Sequence, residues 1–161
     1  MQRRRGRCAV WQEECGPLPI ETWLAELNEL IGRCAWLSAD AADRAVRSAY
    51  HLSVLSPLPI RRFFGDAMSE SELEDLLERG EADDVAAAIA ESAGGICLVR
   101  RSGLPRYIAT FHVDEEKAAT FEAASPALAI IGAWASALTT GQDSWVKNWA
   151  AAHRAPLQAR S

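Results

Sequence analysis

The sequence predicts an α+β fold, with a small antiparallel sheet packed against five to seven helices in the order helices, hairpin, helices. Apolar residues recur at helical spacing on both sides of residues 96–113. Within 96–113, two apolar runs flank the turn Ser102-Gly103-Leu104-Pro105, which is typical of a β-hairpin. Because two strands alone are only marginally stable in water, the hairpin needs a third strand or a helical layer.

Length and composition indicate one domain without a metal or nucleic-acid site. The 161 residues contain no repeat or linker, so we expect a single domain, 1–161, with disordered tails at 1–7 and 155–161. The net charge of −5 is unfavourable for coating nucleic acid, because phosphates require a concentrated basic surface. The four cysteines and three histidines lack ligand spacing, so neither a metal nor a cofactor is predicted.

The compartment is predicted from the cysteines and the apolar segments. Cysteines without a signal-peptide pattern are typical of reduced thiols, and hence of a cytoplasmic protein. The uncharged, strongly apolar stretch 126–138 is too short to cross a bilayer, so no membrane association is expected. Abundant alanine, with more arginine than lysine, is typical of a bacterial or phage gene rich in G and C.

The chain before the hairpin is predicted to be mainly helical. Residues 8–12 are the exception and form a candidate third strand of the sheet. Apolar residues at helical spacing predict helices at 21–36 and 39–54, the second with Ser38 as its N-cap. A further helical turn or two is expected at 60–68.

An acidic pair of helices is predicted next. Ser69 and Glu72 have the spacing of a capping box, which starts a helix that ends at Gly80, and a second helix spans 82–92. Arg79 is the only basic residue of this pair, and DNA phosphates would repel such a surface. We therefore expect no nucleic-acid binding through the acidic helices.

Side-chain alternation in the hairpin predicts which face the helices cover. We expect Arg101 to pair with Arg106, which places Cys97 opposite Thr110. The face to be covered then consists of Ile96, Leu98, Tyr107, Ala109, Phe111 and Val113. The opposite face consists of Cys97, Val99, Ile108, Thr110 and His112.

Three helices are predicted after the hairpin. The first spans 115–124. Ser125-Pro126 is a typical start for the second, 126–138, whose apolar residues predict a position at the centre of the domain. The third spans 144–153. Three tryptophans are assigned to the core: Trp23, Trp36 and Trp134.

Cys97, His112 and Asp114 are candidate catalytic residues. In the expected register, the thiol and the imidazole lie diagonally on one face, and Asp114 follows two residues later. A cysteine nucleophile is commonly activated by a neighbouring imidazole and carboxylate. The alternative is a core thiol and an exposed histidine, which the apolar run around Cys97 favours.

Two sets of residues are candidates for binding a partner protein. Arginines suited to holding an acidic partner or a phosphate flank the hairpin turn: Arg100, Arg101 and Arg106. Trp145 and Trp149 lie one helical turn apart, and tryptophan is enriched at interface hot spots, including those of homodimers. The alternatives are arginines that protect the sheet edges and a helix that docks on its own domain.

The predicted function is that of a non-enzymatic protein-interaction module, a small soluble regulator or immunity-type inhibitor that binds another protein. Segregated charge and the lack of a recognisable catalytic motif favour it. The first alternative is a small-molecule sensor, with a pocket between the hairpin and helix 126–138 lined by Tyr107, Phe111 and Trp134. The second is a cysteine-dependent enzyme that uses Cys97.

Overall fold

A computed structural model of the protein describes residues 17–61, 68–103, 106–112 and 118–140. The described elements, in chain order, are α1 Ile20–Trp36, α2 Ala42–Val54, α3 Leu58–Arg61, α4 Glu70–Glu78, α5 Ala82–Ser92, β1 Ile96–Gly103, β2 Arg106–His112, β3 Ala118–Ala123 and α6 Pro126–Thr140. The predicted α+β class with a small antiparallel sheet is confirmed, and α3 is a single turn. The predicted strand 8–12 and helix 144–153 lie outside the described residues.

The first two long helices pack against each other. In α1, apolar residues three or four positions apart form one buried stripe: Trp23, Leu24, Leu27, Leu30 and Cys34. The indole N–H of Trp23 donates a hydrogen bond to the carbonyl of Leu52, 2.8 Å away. Leu52 lies in the last turn of α2, where carbonyls lack helical donors, so this bond satisfies both groups.

The acidic helices α4 and α5 begin and end as predicted. The backbone N–H of Glu72 donates to Ser69 Oγ at 3.2 Å, and the N–H of Ser69 donates to Glu72 Oε2 at 3.1 Å. This reciprocal pair is the predicted capping box. Gly80 and Gly94 follow the two helices with φ of +76° and +83°, a conformation that glycine adopts at little cost. By contrast, Ser38 precedes a short 3₁₀ turn ahead of α2, and its side chain makes no capping hydrogen bond.

The third strand is β3, where the sequence predicted the helix 115–124, so that prediction is wrong. β3 pairs with β2, which makes β2 the central strand. Its burial alternates, with Thr120 and Glu122 exposed and Phe121 and Ala123 turned towards the helices. Cross-strand pairing and the packing of Phe121 outweigh the helix propensity of the alanines, because such propensities are weak compared with tertiary contacts.

A β-bulge sets the register of β1. Arg101 pairs with Tyr107, and Gly103 pairs with Arg106, so β1 advances two residues where β2 advances one. The predicted pairing of Arg101 with Arg106 is therefore wrong. A shift of one residue moves the side chains of a strand to the other face of the sheet.

This shift reverses the predicted faces of β1 but not of β2. Ile96 and Leu98, which were expected beneath the helices, are exposed. Cys97 lies opposite Phe111 on the side that the helices cover. Ala109 and Phe111 are buried there, as expected.

The central helix is α6, which packs on β2 and β3 and also contacts α1, α2 and α5. Two side chains bind the free amides of its first turn. Ser125 Oγ accepts from the N–H of Leu128 at 3.2 Å, and Asp83 Oδ1 of α5 accepts from the N–H of Ala127 at 2.9 Å. Although α6 is almost entirely apolar, neither it nor another described helix has the length and hydrophobicity for a membrane span.

Two glycines permit close packing around the sheet. A Cβ at Gly132 of α6 would overlap the ring of Phe121, and a Cβ at Gly95 would overlap the ring of Phe111. The aromatic rings of β2 and β3 therefore occupy space that any larger residue would need. These contacts hold the covered face of the sheet against the helices.

Trp36 does not belong to the core, so its assignment there is wrong. Its side chain is 90% exposed, whereas Trp23 and Trp134 are buried. Position 36 lies about 200° around α1 from the buried Cys34, because an α-helix turns by about 100° per residue. It thus falls outside the apolar stripe.

Candidate functional site

The open face of the sheet is the side that points away from α6. Because the rings of Phe111 and Phe121 face the helices, alternate residues of each strand point the other way. Three rows of side chains cross this open face from β1 to β3: Ile96–His112–Ala118, Leu98–Thr110–Thr120 and Arg100–Ile108–Glu122. The open face is therefore apolar at one end and charged at the other.

The apolar end contains two large exposed side chains next to each other on β1. Ile96 is 66% exposed and Leu98 is 60% exposed. An isoleucine or leucine side chain on an uncovered sheet face contributes little to the free energy of folding, whereas its full burial contributes about 1.5–3 kcal/mol. Such neighbouring apolar side chains on a surface are a recurrent property of protein-binding sites.

The charged end carries one uncompensated arginine. Arg106 Nε donates a hydrogen bond to Glu122 Oε1 at 2.7 Å, so these two charges offset each other. Arg100 is exposed and has no ion-pair partner within the described residues. The positive charge at this end is therefore that of Arg100.

The third predicted arginine lies on the opposite face. The guanidinium carbon of Arg101 is 5.6 Å from the centroid of the Tyr107 ring, and Nη2 is 3.4 Å from the tyrosine hydroxyl oxygen. This cation–π contact holds the side chain beside its cross-strand neighbour. The structure thus places Arg100 and Arg106 on the open face and Arg101 on the opposite face. Trp145 and Trp149, the other predicted partner-binding residues, lie outside the described residues.

Cys97 and His112 do not share a face, so the predicted catalytic arrangement is wrong in its geometry. His112 pairs with Ile96, whereas Cys97 pairs with Phe111. Burial, with a smaller contribution from the charge of Glu91, raises the pKa of the Cys97 thiol to about 11. The thiol is therefore protonated at neutral pH, although the thiolate is the nucleophile. Asp114 lies outside the described residues.

The residues predicted to line a ligand pocket belong to the core. Phe111 and Trp134 expose none of their surface, because they lie in the packed layer between the sheet and α6. Tyr107 is half-buried and contacts Arg101. The packing of these three residues thus leaves little room for a small molecule between the hairpin and α6.

Several carboxylates of the acidic helices have structural partners. Both oxygens of Glu74 accept hydrogen bonds at 2.9 Å from Arg47 of α2. Glu72 completes the capping box, and Asp83 binds the start of α6. Across the described ranges, no cluster of histidine, cysteine and acidic side chains is arranged to hold a metal ion.

The sequence interpretation missed the exposed pair Ile96 and Leu98 and the exposed Trp36. Nothing in the apolar run of β1 distinguishes a buried from an exposed position, because only the bulge decides it. The exposure of Trp36 could have been predicted from its position around the helix axis, which lies away from the apolar stripe of α1. No family model, curated protein or solved structure matches the chain.

Proposed function

We propose that this protein is a protein-interaction module that binds another protein through the open face of its sheet. The observation that carries the proposal is the exposure of Ile96 and Leu98 side by side on β1. A module of this kind acts as a regulator or inhibitor of the protein to which it binds. The polar rim that a partner would meet includes Arg100 and the Arg106–Glu122 pair.

The shape and composition of the open face favour a protein partner over a small ligand. The open face is part of a sheet surface, and an interface core of apolar side chains with a charged rim is what protein partners use. Small-molecule sites are concave and enclose most of their ligand. The alternative pocket would require Phe111 and Trp134 to become accessible, which disrupts the core.

The test is an affinity pull-down from an extract of the source cell, with the intact protein as bait. We expect wild type to capture a protein that the Leu98→Lys variant does not capture. A lysine at this position would have to lose its hydration shell at an apolar contact, which costs free energy. Val54→Lys is the matched control, since Val54 is also exposed (41%) but lies at the end of α2. Both variants are first checked for an unchanged urea midpoint.

Capture of the same proteins by both variants would contradict the proposal. In that case binding would not depend on the open face.

A further inference from the structure

The free edge of β1 adjoins the apolar end of the open face. Within the described residues, β1 pairs with β2 alone, because the strand order is β1-β2-β3. An edge strand presents unpaired backbone N–H and C=O groups along its outer side. Soluble proteins usually protect such edges with charge or proline, yet residues 96–99 contain neither.

We propose that the partner adds an extended strand to the edge of β1, and that its acidic residues lie opposite Arg100 and Arg101. This inference rests on the proposed function and specifies the chemistry of the partner. Main-chain hydrogen bonds supply the pairing, while apolar side chains contact Ile96 and Leu98. The partner segment is apolar at one end and acidic at the other.

The charges of β1 favour an acidic partner. Arg100 has no ion-pair partner in the described parts of the chain, and Arg101 is fixed beside Tyr107 with its guanidinium exposed. These neighbours point to opposite faces, so two consecutive acidic residues of an added strand can reach one arginine each. Arg106 does not compete, because Glu122 already neutralises it.

A second copy of this chain fits the edge less well. Pairing β1 with its own copy would bring four arginines into one two-stranded ribbon, and β1 contains no acidic residue to offset them. Like charges directly opposite each other on neighbouring strands are destabilising, so two copies would avoid the registers that pair these arginines, and the other registers leave the arginines without an acidic neighbour. An acidic strand avoids this repulsion and fills the same backbone positions.

The orientation follows from the existing sheet, which is antiparallel throughout. An antiparallel strand would place its N-terminal end beside Arg100 and Arg101, and its C-terminal end beside Ile96. The probe is therefore an acetylated synthetic peptide with two glutamates followed by alternating valine and threonine. The matched control peptide has two lysines in place of the glutamates.

Binding is measured by fluorescence anisotropy of the labelled peptides with the full chain. We expect saturable binding of the glutamate peptide and binding about tenfold weaker or absent for the lysine peptide. Arg100→Gln should weaken binding of the glutamate peptide by about 1.4- to fivefold, the range for one exposed ion pair. Arg44→Gln, an exposed arginine of α2, should have no effect.

N-methylation of alternate peptide amides tests strand addition directly. Only one alternate set of amides faces β1, so methylation of that set should abolish binding while methylation of the other is tolerated. Tolerance of both sets, or equal binding of the two charged peptides, would overturn the proposal. The proposal would also be overturned if sedimentation showed a dimer and Leu98→Lys dissociated it. The edge of β1 would then be occupied by a second copy of this chain.

These outcomes are separable from those of the proposed function. If no peptide binds but Leu98→Lys still abolishes capture from extract, the acidic-strand inference fails and the open face remains a binding surface. If capture is independent of Leu98, the proposed function itself fails.

Discussion

Gly132 allows α6 to approach the ring of Phe121 in the sheet closely. The ring of Phe121 lies where a side chain at position 132 would begin. Phe121 is only partly buried otherwise, so its packing depends on this gap in the surface of α6. The glycine thus lowers the intrinsic stability of the helix while it permits the contact with β3.

We expect Gly132→Ala to lower the free energy of unfolding by about 1–3 kcal/mol, because overpacking forces the ring to move. Gly32→Ala is the control, since Gly32 lies in α1 with no atom near a new Cβ. It should raise the stability by about 0.5–1 kcal/mol through helix propensity. Urea unfolding measures both, and a stabilising Gly132→Ala would contradict the described packing.

The thiol of Cys97 should react slowly with iodoacetamide in the folded protein. A pKa raised from 9.0 to about 11 lowers the thiolate fraction at neutral pH by about 100-fold. We expect a corresponding decrease in alkylation rate relative to the chain in urea, followed by mass spectrometry of the peptide that contains Cys97. A native rate equal to the denatured rate would indicate an exposed, reactive thiol and would revive the cysteine-enzyme hypothesis.

The element that decides the candidate site is β1. Its four apolar residues at 96–99 have no alternation of their own, so their sequence is compatible with either face. The bulge between Arg101 and Gly103 selects the arrangement with Ile96 and Leu98 outside. A single structural irregularity therefore determines the composition of the open face.

Substitution of Leu98 by threonine tests this arrangement. We expect Leu98→Thr to change the free energy of unfolding by less than about 0.5 kcal/mol, because the side chain is mostly exposed. Leu128→Ala, in the buried part of α6, should cost about 2–5 kcal/mol by comparison. A loss of comparable size for Leu98→Thr would indicate the straight register, in which Leu98 is covered.

β3 illustrates the limit of local patterns. The sequence Ala-Ala-Thr-Phe-Glu-Ala combines strong helix formers with alternation, and both readings are locally acceptable. The strand forms because β2 offers a complementary edge and α6 accommodates Phe121. These are contacts between distant parts of the chain, which local propensity does not contain.

At the scale of the whole molecule, α2 and α4 are joined by the Arg47–Glu74 pair, which links the acidic helices to the rest of the core. The hydrogen bonds from Arg47 are the main reason that the pKa of Glu74 is lowered. A carboxyl group with a lowered folded-state pKa contributes stability above its unfolded pKa, and this contribution is lost as the pH falls through the folded pKa.

We therefore expect Glu74→Gln to lower the urea midpoint at neutral pH and to have a diminishing effect as the pH falls below about 4.3, the usual pKa of a glutamate. Glu78→Gln, on the same helix, is the control, because no described residue forms an ion pair with Glu78. A difference between wild type and Glu74→Gln that persists at acidic pH would attribute the effect to something other than the ion pair. High salt should also reduce it.

The helical elements were predictable because their signals are local. The stripe of α1, the Ser69–Glu72 capping box, the glycine stops and the Ser125 cap are all sequence patterns with one physical meaning. The register of β1, the identity of β3 and the exposed pair on the open face depend on pairing and packing. The site was therefore less predictable than the fold class.

The bulge also matters on an evolutionary timescale. A pairing that continued straight from Gly103 and Arg106 would turn Ile96 and Leu98 inwards and would present the Cys97 thiol to oxidants in solution. Deletion of the one bulged residue, Ser102, is thus a single-codon change that would exchange the exposed pair for a covered one. Selection can act on that step without altering any helix.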